Sequence, residues 1–128
     1  RMLTNILYKE CMNWLNEVQL FRRGLEQSKE ALNQASFSKP EIKECEEIKG
    51  YYASIKEVGE GLKATEERIL CSLNNGKMFW RGPYENLYSG ETVRNDGNEL
   101  FDLMKSNYNL LIELQRSINR FLSASALI

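Results

Sequence analysis

The chain has 128 residues, with 17 lysines and arginines against 18 aspartates and glutamates, a formal charge of −1, and no histidine. That length suits one domain with a core of its own, burying roughly two thirds of the surface its unfolded form exposes. The balanced charge gives no electrostatic reason to bind nucleic acid or an anionic membrane surface, and the missing imidazole removes the commonest general base and the commonest transition-metal ligand.

Cys11, Cys45 and Cys71 are the three cysteines. An odd number at wide spacing fits neither a disulfide framework nor a C-x-x-C metal pair, so they read as free thiols in a reducing compartment. No stretch approaches the ~20 apolar residues of a membrane span. The N-terminus lacks the basic, apolar and small-residue regions of a secretory signal, which points to a cytoplasmic protein or one exported without a cleaved signal peptide. Arg1 ahead of Met2 reads as a residue added before the native start.

In chain order, Leu7, Cys11, Trp14, Val18, Phe21, Leu25, Ser28, Leu32 and Ala35 recur at alternating spacings of four and three, the seam of an amphipathic helix over about residues 2–36. Gly24 inside it costs ~1 kcal/mol against alanine, too little to break so long a pattern. Cys11 and Trp14 are core positions on this stripe. Ser38, Pro40 and Glu41 then read as a helix start, with Ser38 as N-cap, Glu41 closing a capping box, and Phe37 against Ile42 as a hydrophobic staple. The turn is short, so the second helix, over about residues 39–75, folds back antiparallel.

Ile48, Ile55, Leu62 and Ile69 fall at strict seven-residue intervals, with Tyr51, Tyr52, Val58 and Leu73 beside them. Gly59 and Gly61 adjoin the stripe and suit close approach of a neighbour, whereas Cys71 lies off it and is expected at the surface. Asn74-Asn75-Gly76 reads as the helix end, with frayed helix toward Phe79 as the alternative. Past the apolar cluster Met78-Phe79-Trp80, Pro83 suits the first position of a short helix over about residues 83–94. The Gly90-to-Asn98 region is either a loop or a weakened stretch of helix, with Asp96 and Glu99 able to form a fresh N-terminal cap. Leu100, Met104, Tyr108, Leu111, Leu114, Ile118, Phe121 and Leu122 carry a last long helix over about residues 97–126, and the tail from Ser123 reads as fraying helix. The expected fold is all-α: an elongated antiparallel bundle of three long helices and one short one, in a single domain.

Little in this pattern suggests catalysis. The carboxylates at Glu44, Glu46 and Glu47, and at Glu66 and Glu67, suit solvated helix faces. Cys71 has no visible base to activate it. Gly59-x-Gly61 follows no strand and so is no phosphate loop. Tyr51 and Tyr52 suit an aromatic packing layer. No cofactor and no metal site is expected, and the chain reads as no enzyme.

The triplet Trp80-Arg81-Gly82 stands between two long heptad-patterned segments and is followed by Tyr84 and Tyr88. In this setting residues 41–128 resemble the WXG family of helical-hairpin substrates of type VII (ESX-like) secretion systems, with residues 1–38 as an additional N-terminal helix. The resemblance implies a Trp-x-Gly turn between antiparallel helices, dimeric four-helix bundles, and a turn surface read by partners or by the secretion ATPase. It maps the partner-binding positions onto Trp80, Gly82, Tyr84 and Tyr88. The family's Tyr-x-x-x-Asp/Glu export signal is missing, since Thr92 follows Tyr88 and Ile112 follows Tyr108 at that spacing. Two functions follow as expectations. One is an interaction module that binds another helical protein, such as a larger secreted toxin. The other is a self-associating coiled-coil protein, structural or regulatory, with no role in secretion.

Overall fold

The computed structural model describes the backbone of residues 2–81 and 90–126 and the side chains of residues 8–74 and 97–126. The described residues are all-α, without strands: α1 (Met2–Ser38), α2 (Pro40–Lys43), α3 (Glu46–Arg81) and α4 (Gly90–Ala126). The three long helices contain 37, 36 and 37 residues.

The end of α1 is set by Pro40, not by a capping box. A proline disfavours helical backbone in the residue before it, and Lys39 is accordingly extended, at φ −132° and ψ 96°. Its N–H still donates to Ala35 O at 2.9 Å, so Ser38 remains inside α1 and does not cap the next helix. Lys39 is instead the N-cap of α2, without a side-chain cap hydrogen bond, and Pro40 fills the first helical position. The expected staple fails as well, because Phe37 is 91% exposed. The second helix, expected as one run from about residue 39, is divided, with α2 ending at Lys43 and α3 beginning at Glu46, and other helix bounds differ as well. α3 runs through Asn74-Asn75-Gly76 to Arg81, since one helical glycine costs only ~1 kcal/mol. α4 is already helical from Gly90, not from about residue 97, so the helical reading of the Gly90-to-Asn98 region holds, and Asp96 and Glu99 lie inside the helix and open no new one. Of the short helix expected over residues 83–94, the part before Gly90 lies outside the described residues.

The chain forms two compact units, each drawing on all three long helices. One contains residues 1–19 and 63–106, the other residues 20–62 and 107–128. In the first, Cys11, Trp14 and Val18 of α1, Ile69 and Leu73 of α3, and Leu100 and Met104 of α4 are buried. In the second, Leu25 and Leu32 are buried with Ile48, Ile55, Val58, Leu62, Leu111, Leu114 and Ile118. Contacts in the second unit fix helix direction. A Cβ at Gly59 would lie 3.5 Å from Leu25 of α1, and Tyr52 of α3 donates to Asn33 of α1, so these helices are antiparallel there. Phe21 meets Tyr108, and Lys39 meets Ser125, so α1 and α4 are parallel within this unit.

Gly50 is a helical glycine with open space where a Cβ would go. Gly50→Ala is therefore expected to raise the unfolding free energy by ~0.5–1 kcal/mol in urea denaturation, through helix propensity alone. A neutral or destabilising result would mean that this turn is not helical in solution.

Candidate interaction surface

The buried positions keep the three-four spacing, but they are not all apolar. Along α3 the spacing passes through Thr65 and Ser72, and along α4 through Asn107, all buried. Both Asn107 and Tyr108 satisfy the spacing between Met104 and Leu111, and hydropathy selects the tyrosine. The structure selects Asn107, and Tyr108 is 49% exposed, packed on Phe21 with ring centroids 5.7 Å apart. Thr65, Ser72 and Asn107 are the residues that an apolar filter misses; unbroken spacing through a polar residue is the signal that would have found them.

Gly61 owes its place to Asn107. A Cβ there would stand 3.2 Å from Asn107 Oδ1, a tight contact that glycine avoids, as close approach beside the stripe requires. In the first unit, Arg68 of α3 bridges to α4. Its Nε and Nη2 donate to the two carboxylate oxygens of Glu99 at 3.2 and 3.1 Å, while Nη1 donates to Ser72 Oγ at 2.6 Å. Glu99, which the sequence suggests as part of a helix cap, is thus half of a bidentate ion pair.

At the α1–α2 turn a cleft of about 530 Å³ is lined by Lys39, Pro40, Ile42, Cys45 and Phe121, among others. The Lys39 ammonium donates to Ser125 O at 2.6 Å. Beside it Tyr51 packs on Phe121 at 5.3 Å and donates to Ser117 O at 3.3 Å, so the aromatic layer expected of Tyr51 and Tyr52 is formed by Tyr51, whereas Tyr52 donates to Asn33. Burial and the neighbouring Glu47 carboxylate push the Tyr51 phenol above its ordinary value of 10.0, so it stays a neutral donor at all physiological pH. Cys11 is buried, Cys71 exposed and Cys45 half-buried. Among the described residues, no group of three or more Cys, Asp or Glu is arranged to hold a metal ion, and no helix is long and apolar enough to cross a membrane.

Of the four positions mapped from the resemblance, Trp80 has its backbone described, within α3. Its side chain, together with Gly82, Tyr84 and Tyr88, lies outside the described residues. Surface apolar groups elsewhere are Tyr8, Met12, Leu20, Leu70, Phe101 and Leu110, besides Phe37 and Tyr108. No protein-family model, no curated protein and no solved structure matches the chain.

Proposed function

We propose that the chain is a helical protein–protein interaction module that works in the manner of the WXG-like type VII secretion substrates, or as a targeting or chaperone partner of a larger toxin. The observation that carries this reading is the place of Trp80-Arg81-Gly82 in the sequence between the segments that form α3 and α4, Trp80 and Arg81 being the last described residues of α3. Large apolar side chains that remain exposed beside filled seams support it, because such groups gain most from a second protein. The missing export signal is then supplied by the partner. A self-associating coiled coil is the weaker reading, since the stripes that would drive self-association are already buried within this chain.

The test measures association of the full chain with the product of the adjacent gene. Trp80→Ala and Gly82→Arg are each expected to weaken binding at least about tenfold, the scale of a central interface aromatic. Wild-type affinity in both variants overturns the turn-surface role. A stable homo-oligomer in light scattering, retained in the cell, favours the self-associating alternative.

A further inference from the structure

In the second unit α3 and α4 leave between them an open cleft of about 300 Å³. It exists because Ser54 and Gly61 on α3 and Ser117 on α4 are too small to fill the space between the two helices. The floor is the unit's own core at Val58 and Leu114, and Leu110 stands at the edge, 53% exposed. Across Ser54 to Gly61 the cleft follows two turns of α3, ~10 Å, the footprint of a crossing helix. The charged residues that line it are Glu57 and Glu113, one on each wall and both exposed. Neither makes an ion pair with another described residue.

We propose that this cleft receives an amphipathic helix of a partner protein, whose apolar row lies against Leu110 and the small residues while lysines or arginines on both flanks meet Glu57 and Glu113. The proposal rests on the helix-binding reading above and specifies the chemistry of the bound helix. Charge complementarity selects the occupant. A second copy docked through the same cleft across a two-fold axis would bring the same two glutamates to the cleft from the other side, and like charges facing one another are unfavourable. A basic helix instead neutralises both walls, and the small side chains let its backbone approach closely.

The test uses fluorescein-labelled synthetic helices of ~21 residues, three heptads with a leucine–alanine seam, one peptide flanked by lysines and one by glutamates. Anisotropy titrations on the full chain at low salt are expected to show about a tenfold preference for the lysine-flanked helix, shrinking as salt screens the exposed carboxylates. The double variant Glu57→Lys/Glu113→Lys changes only exposed residues and is expected to invert that preference while its melting curve stays close to wild type. Equal binding of both peptides overturns the charge-selected occupant, and binding of neither overturns the cleft as a docking site. A dimer in light scattering that the double variant dissolves assigns the cleft to a second copy, which also overturns the proposal. Each of these failures leaves partner association dependent on Trp80 intact if the broader reading holds, so the two fail separately.

Discussion

Ile69→Ala is expected to lower the unfolding free energy by ~3 kcal/mol, whereas Leu70→Ala, one residue along the same helix, lowers it by less than ~0.5 kcal/mol. Ile69 is fully buried and Leu70 is 39% exposed. Both lie in α3, so the backbone cost of each change is alike and the difference reports burial alone. Removing the buried isoleucine loses the transfer free energy of three carbons and leaves a cavity that Thr65, Ser72 and Leu73 of the same stretch, being fixed in one helix, fill only in part. Leu70 loses only the packing of a half-solvated side chain. Urea denaturation followed by far-UV circular dichroism measures both, with unchanged slopes as the check that unfolding remains two-state. Equal costs at the two positions would mean that the α3 stripe is rotated toward Leu70, so that both side chains share the core.

That prediction depends on spacing, the part of the fold most visible in the sequence. Ile48, Ile55, Leu62 and Ile69 are all buried, as their heptad interval requires, and so are Cys11, Trp14 and Val18. A helix that hides one face from water must repeat apolar side chains near its own period, so the stripe and the burial follow from the same geometry. Helix ends were less legible because several local signals competed there. Ser38 and Glu41 have capping-box spacing, yet Pro40 acts on Lys39 first, and α1 does not end until the proline forces the backbone to become extended. Asn75 and Gly76 are poor helix formers, but the propensity penalty is small beside the benefit of continuing a packed helix. The α3–α4 cleft was half visible: Gly61 stood out beside the stripe, whereas Asn107 opposite it was hidden by its polarity. The position of Glu57 and Glu113 on facing walls depends on how two helices about 50 residues apart in sequence pack, which no local pattern encodes.

Arg68→Ala is expected to cost ~1–2 kcal/mol, more than a surface ion pair would. Glu99 is 55% exposed and the pair is open to solvent and salt, so its own share is under ~1 kcal/mol. The larger share comes from Ser72, whose buried hydroxyl accepts from Arg68 and loses that partner in the variant. The two contributions separate experimentally. Coupling between Arg68→Ala and Glu99→Ala should be small and should fade in high salt. The cost of Arg68→Ala measured in a Ser72→Ala background should fall by more than half, because no buried hydroxyl is then left without its guanidinium. The competing physics is a rotation of the Ser72 hydroxyl toward the carbonyl one helical turn back, which a helical serine can reach. If that rotation dominates, Arg68→Ala costs the same with and without Ser72, the salt-sensitive pair accounts for the whole effect, and the buried serine is no more than a small residue in the seam.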